Sequence, residues 1–235
     1  MFGWIWAIAS PLVMMLAYTV VFSGIVAVSR FGQHQSFGSR ALLIFTGMTL
    51  FNFVSELLYR GPALLHEHAP FIKKSIFPTE TLAWIAVLRA LVYAGISFAV
   101  LIVFKLALTW DLPWTSVLVP FLVIPLLMLL LGATWFLMAL GAFTRDIVHL
   151  MATIVPLLMW VTPVFYTFAD IPATIQPWMR LNIMADYVDM LRDVVLFGIM
   201  PDLQLYGICV AVSSAVFFLG YLFFIQYKSI IVDVI

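Results

Sequence analysis

Residues 112–144 read LPWTSVLVPFLVIPLLMLLLGATWFLMALGAFT, and no charged side chain interrupts the run from Leu112 to Thr144. About 20 predominantly apolar residues suffice to cross roughly 30 Å of hydrocarbon as a helix, so this run is longer than one crossing requires. Pro113, Pro120 and Pro125 lie in its first half. A proline removes a backbone donor and its ring presses on the preceding turn. The spacing therefore predicts a span over residues 114–140 that begins near Trp114, bends within the membrane and ends before the Arg145-Asp146 pair.

Working outward, further uncharged runs cover Trp4 to Val28, Ala41 to Ser55, Leu82 to Phe104 with Arg89 inside it, Ile147 to Ala169, and Leu203 to Tyr227. These runs predict an all-α integral membrane protein of six spans, over residues 4–28, 40–58, 83–104, 114–140, 147–168 and 203–227, in a single transmembrane domain over residues 1–235. Composition agrees. The chain is 65% hydrophobic and 9% charged, against roughly 45–50% and 25% for a soluble domain, which excludes a water-soluble fold. Its 11 basic and 11 acidic residues cancel, so nothing in the charge points to nucleic acid. Cys209 is the single cysteine and has no internal disulfide partner. The first run is longer than a signal-peptide core and lacks a basic leader, so it reads as a retained span.

Two connections exceed a turn. Residues 59–81 collect Arg60, His66, Glu67, His68, Lys73, Lys74 and Glu80 among Pro62, Pro70 and Pro78, which predicts a short helix broken by prolines. Residues 170–202 contain an amphipathic pattern: Met184, Tyr187, Val188, Leu191, Val194 and Val195 on one face, Asp186, Asp189, Arg192 and Asp193 on the other. Gly198 and Pro201 end it. This stretch is too short to cross, so two short helices, re-entrant or interfacial, are expected before the last span, with the three aspartates facing water or an exit. Basic residues divide equally between alternate loops, so the positive-inside rule leaves the orientation open.

No Gly-x-x-x-x-Gly-Lys-Ser/Thr phosphate loop occurs, and no His, Cys or Glu cluster has metal-ligand spacing. The chain is therefore expected to hold no cofactor and to hydrolyse no ATP itself. His66 and His68 flank Glu67 and read as solvated loop histidines, with no metal expected.

The stretch from Glu56 to Glu80, ELLYRGPALLHEHAPFIKKSIFPTE, carries a polar helix followed by two basic residues shortly before Phe-Pro. It resembles the membrane subunits of ABC exporters for lipid-linked polysaccharides, the O-antigen, teichoic-acid and capsule branch of the type-2 permeases. The likeness continues in Gly3-x-x-Trp6-Ala7-Ile8 with Pro11 and Tyr18, in Arg145-Asp146-Ile147 with His149, in Thr162-Pro163-Val164-Phe165-Tyr166, and in the positions of Asn182 and Arg192. Two departures stand out. The amphipathic basic segment that usually precedes the first span is expected to be missing or encoded upstream, and the usual Asn-Pro is Asn182-Ile183 here.

The resemblance implies a homodimeric permease working with two copies of a separate ATPase, which would bind ATP and Mg, and moving a lipid-linked glycan across a bacterial cytoplasmic membrane with both termini inside. It implies ATPase coupling through Glu67, Lys73, Lys74, Phe77, Arg145 and Asp146. Substrate-channel candidates are Tyr18, Phe22, Trp160, Phe165 and Tyr166, because flat rings stack on the apolar faces of sugars without fixed register. Lining and ordinary helix packing both remain open for them. Trp84, Trp110, Trp114 and Trp178 lie near span ends and are expected to form an interfacial belt. Arg89 is expected either to pair with Glu56 or Glu80 or to touch a lipid pyrophosphate. Gly207, Ala211 and Ala215 form a small-residue stripe expected to pack within the subunit, with a dimer seam as the alternative. The rivals are a type-2 permease for a drug or lipid, and a secondary transporter, which would normally place ionisable groups in mid-membrane.

Overall fold

Hydrocarbon offers the backbone no hydrogen-bond partners, so so apolar a chain must satisfy its N–H and C=O groups within helices or a closed barrel. The computed structural model describes residues 9, 11–14, 16, 17, 20, 37–74, 78–172 and 174–234, and every regular element among them is helical. In chain order these are α1 (Phe37–Arg60), α2 (Leu64–Glu67), α3 (Ala69–Lys74), α4 (Thr81–Thr109), α5 (Val119–Phe143), α6 (Asp146–Val161), α7 (Gln176–Met179), α8 (Ile183–Arg192) and α9 (Leu203–Val234). Short 3-10 turns at Gly61–Ala63, Trp114–Leu118 and Phe168–Asp170 and a π-helical turn at Asp193–Phe197 complete the path.

Among the described residues four helical stretches are long and apolar enough to cross a membrane: Gly38–Glu67, Thr81–Thr109, Trp114–Phe143 and Leu203–Ile231. They contain the second, third, fourth and sixth expected spans. Most of the first expected span lies outside the described residues. The fifth is shorter than expected, because α6 has 16 residues and ends at Val161 rather than at residue 168. At about 1.5 Å per residue that is roughly 24 Å, less than a hydrocarbon core. Pro163 explains the stop: it supplies no N–H, and it disfavours helical backbone at Thr162.

The chain divides into two compact units, one of Met1–Asn52, Val92–Pro120 and Trp160–Pro201, the other of Phe53–Leu91, Phe121–Met159 and Asp202–Ile235. In the first, α1 is buried at every residue from Ala41 to Phe51, as expected of a helix apolar all round. Its polar Thr46 and Thr49 donate their hydroxyls to the Leu42 and Phe45 carbonyls at 2.7 and 2.8 Å, so neither is left unsatisfied. Trp110 closes α4 with φ 53°, a left-handed conformation rare for a bulky residue, and its ring is exposed, as a belt position requires.

In the second unit, α5 and α9 meet backbone to backbone. A methyl on Gly132 would overlap the Val216 carbonyl, and one on Gly220 would overlap that of Gly132. Trp135 is buried beside this crossing, with its ring centroid 5.3 Å from Phe217 and 4.9 Å from Tyr221. The stripe expected to pack, Gly207, Ala211 and Ala215, is instead exposed, and a Cβ on Gly207 would meet nothing within 4 Å. The close approach thus falls about three turns further along α9, where both partners present a glycine.

Candidate functional site

In the second unit, the polar segment after α1 folds back onto the end of α5. Gly61 and Pro62 are buried, and Gly141 lies so near the Pro62 carbonyl that a methyl there would overlap it. His66 Nε2 donates to the Gly141 carbonyl at 3.1 Å, and His68 Nδ1 donates to that of Leu64 at 2.8 Å. A carbonyl only accepts, so both nitrogens carry hydrogen. The two histidines are therefore half-buried backbone clamps rather than the solvated loop residues expected. Glu67 is exposed and pairs with Arg60 at 3.4 Å.

The chain re-enters the long helices through an equally braced corner. The Trp135 indole N–H donates to the Glu80 carbonyl at 3.0 Å, and Lys228 of α9 meets the Glu80 carboxylate at 2.7 Å. Glu80 thus pairs with Lys228, and the side chain of Arg89 is exposed. Arg145 and Asp146 are exposed where α5 gives way to α6, four and five residues beyond the Gly141 contact.

In the first unit, the break after α6 is held by polar side chains. Thr162 is fully buried, and its hydroxyl accepts from Asn182 Nδ2 at 2.9 Å. The same Asn182 caps α8, its side-chain oxygen accepting from the Met184 N–H at 3.1 Å. Arg192, only 1% exposed, directs its guanidinium to main-chain carbonyls: Nε and Nη2 reach Leu43 O at 3.2 and 3.1 Å, Nη2 reaches Val164 O at 2.7 Å, and Nη1 reaches Tyr166 O at 3.0 Å. Gly47 leaves the space, since a Cβ there would lie 2.9 Å from Nη2 and 3.1 Å from Val164 Cα.

This grip shapes an aromatic surface. The Tyr166 hydroxyl donates to the Trp160 carbonyl at 2.7 Å, satisfying an acceptor that the broken helix leaves orphaned. The Trp160 and Phe165 ring centroids are 5.8 Å apart at 42°, and Trp160 is 65% exposed. The next turn is closed by Asp170, whose carboxylate accepts from the Thr167 N–H and hydroxyl, both at 2.8 Å. Beyond it, Arg180 lies 4.8 Å over the ring of Phe168, which packs with Met179 and Ala185.

The expected polar face of α8 is not solvated. Asp186 is buried, and its Oδ1 lies 3.8 Å from Arg180 Nη1, too far for a hydrogen bond. Burial pushes the Asp186 carboxyl up to about 6, opposed by Arg180 and assisted by Asp189. Burial and the Asp189 charge push Asp193 up to about 6, against Arg192. Asp189 is raised by burial, against Arg192 and Arg180. Burial lowers Arg192 to about 10, partly offset by Asp189, Asp170, Asp193 and Tyr166, so it stays cationic at neutral pH. The physical reason is that α8 is wrapped on nearly all sides, so its charged residues face protein as well.

After α8, the π-helical turn presents three more carbonyls to buried donors. Thr115 Oγ1 donates to Val194 O at 2.6 Å, and Lys105 Nζ donates to Val195 O at 2.5 Å and Leu196 O at 3.4 Å. Gly198, at φ 71°, then turns the chain away.

Of the expected coupling residues, the structure brings the segments bearing Glu67 and the Arg145-Asp146 pair together through Gly141; Lys73 and Lys74 end α3. Phe77 and the side chains of Lys73 and Lys74 lie outside the described residues. Of the expected channel residues, Trp160, Phe165 and Tyr166 form one cluster, while Tyr18 and Phe22 lie outside the described residues. Arg192, Asn182 and His66 are the polar anchors that sequence reasoning did not place. For Arg192 and Asn182 the signal was the need for donors and caps where Pro163 stops one helix and Ile183 starts the next; for His66, whose acceptor is the distant Gly141 carbonyl, there was none.

The model of the family described as ABC-2 type transporter matches residues 1–196. A relative named O-antigen export system permease protein RfbA, from Myxococcus xanthus, is 24% identical over 169 residues, covering 72% of this chain and 62% of the relative. The chain thus spans less than two thirds of that relative's length.

Proposed function

The chain belongs to the ABC-2 type transporter family, a transport component that implies a partner ATPase subunit, and from that premise we propose that it is the permease of a polysaccharide exporter. On this reading two copies form the pathway, each with six spans in one membrane domain, and two copies of the ATPase bind the ATP and Mg. The cargo is a lipid-linked glycan moving outward across a bacterial cytoplasmic membrane. Both termini and residues 59–81 and 142–149 face the ATPase side, and residues 170–202 face outside.

The observation that carries the reading is the clamp of the polar segment on the end of α5, through Pro62, His66 and Gly141. A segment so fastened is a stiff lever: motion of a partner docked on Glu67, Lys73, Lys74, Phe77, Arg145 and Asp146 would pass to the spans as a rigid-body shift rather than be absorbed in the loop. The glycan reading is supported by the exposed Trp160 ring beside Phe165 and by the name of the 24% identical relative. Arg89, exposed within α4, is proposed to meet the lipid pyrophosphate.

Two variants test the two halves of the proposal. Reversing charge at Lys73→Glu and Lys74→Glu together is expected to uncouple ATP hydrolysis from export while the membrane dimer still assembles. Normal export with normal recovery of the ATPase would end the coupling assignment. Trp160→Leu keeps an apolar wall but removes the flat face, so surface polysaccharide per assembled dimer should fall while hydrolysis persists. Undiminished export in that variant would make Trp160 a packing residue and remove the aromatic argument for a sugar cargo.

A further inference from the structure

The break between α6 and α8 exposes backbone carbonyls that no helix turn can satisfy, and a buried carbonyl without a donor keeps the cost of its lost hydration. One side chain answers two of them. Arg192 bonds Val164 O and Tyr166 O on either side of Phe165, and the same guanidinium anchors on Leu43 O of α1. The ties continue outward, because the Tyr166 hydroxyl holds the Trp160 carbonyl. The residues that carry the aromatic surface are therefore linked, through main-chain atoms, to one buried cation.

We propose that Arg192 is a positioning residue for substrate passage: it holds the Val164–Tyr166 backbone against α1 so that the Trp160 and Phe165 rings stand as one surface for the apolar faces of a sugar chain. The substrate part of this inference rests on the glycan reading above. Two physical arguments separate it from a generic packing role. A buried charge is expensive, and an apolar residue of similar volume would fill the same space more cheaply, so the guanidinium is retained for what its donors grip. Its planar fork matches carbonyls in several directions at once, which the single ammonium of lysine does not. Gly47 supports the same conclusion from the opposite side, because a methyl there would displace both Nη2 and the Val164 backbone.

The test uses the full chain co-expressed with its ATPase, with fluorotryptophan incorporated at the eight tryptophans and the Trp160 fluorine resonance identified by its loss in Trp160→Phe. In Arg192→Gln the Trp160 resonance should shift or broaden while those of Trp84 and Trp135 stay in place, and Arg192→Lys should give a smaller change. Surface polysaccharide per dimer should fall in the same order, by about tenfold in the Gln variant, the scale of one lost charge-assisted hydrogen bond. Should Arg192→Gln fail to accumulate, Gly47→Ala and Arg192→Lys carry the same readout.

An unmoved Trp160 resonance in variants that assemble overturns the inference. So does a concerted shift of all the tryptophan resonances, which would make Arg192 a support of the whole fold rather than of this segment. If the Trp160 resonance moves as expected but deletion of the permease leaves surface polysaccharide unchanged, the positioning stands and the glycan reading fails.

Discussion

A single methyl group is the sharpest probe of where these helices touch. On Gly220 it would meet the backbone of Gly132, which cannot yield, whereas on Gly207 it would meet nothing within 4 Å. Gly220→Ala should therefore destabilise the protein by about 2 kcal/mol or more, the scale of a forced backbone shift in a packed core. Gly207→Ala should be neutral or stabilising by up to about 1 kcal/mol, because alanine loses less backbone freedom on entering a helix. Thermal unfolding of the two variants in one detergent decides it; equal midpoints would contradict the crossing. Gly141 follows the same logic with a functional consequence. Gly141→Ala must push the Pro62 segment off the end of α5, and ATPase-driven export should drop while the permease remains in the membrane.

At the scale of elements, α8 is the one whose stability should follow pH. Burial raises the carboxyls of Asp186 and Asp193 to about 6, so each prefers its neutral form in the folded protein more than in the unfolded chain. The sign follows from proton counting. The stabilisation they add is complete below the unfolded value of about 4 and is lost as pH rises through 6. Hydrogen exchange of peptides covering residues 183–197, corrected for the intrinsic rate, should show stronger protection at pH 5 than at pH 7.5. Asp186→Asn should shrink that difference, and an unchanged or inverted difference would refute the burial of this carboxyl. The turn that follows α8 depends on different chemistry. Lys105→Met would leave the Val195 and Leu196 carbonyls without their donor, so the same peptides should lose protection at both pH values.

At the scale of the molecule, topology is the decisive property. Leu181 and Arg145 are both exposed in the chain, and Cys209 is buried, so a Cys209→Ala background offers clean single-cysteine reporters. On the proposed topology Leu181→Cys reacts with an impermeant maleimide added outside spheroplasts. Arg145→Cys should react only in inverted vesicles. The opposite pattern would invert the proposed orientation and with it the assignment of residues 59–81 to the ATPase.

What the sequence determined by itself follows from solvation. Long uncharged runs must be helices in hydrocarbon, so α1, α4, α5 and α9 were legible within a few residues, as were the proline-broken segment after α1 and the helix ending before Gly198. The class of the protein was legible too, because the order of short motifs from Glu56 to Tyr166 carries more information than any one of them. The sequence could not say which polar residues face protein. Arg192 and Asp186 fit the polar stripe of a surface helix, and periodicity registers only that they share a face, not what lies opposite it. The tertiary structure decided that a broken helix stands there, with carbonyls in need of donors, and that Gly47 leaves room for the guanidinium to reach them. The same holds for His66 and for Gly220. Their partners, Gly141 and Gly132, are distant in sequence, and only chain packing brings a donor to its acceptor or one glycine to another.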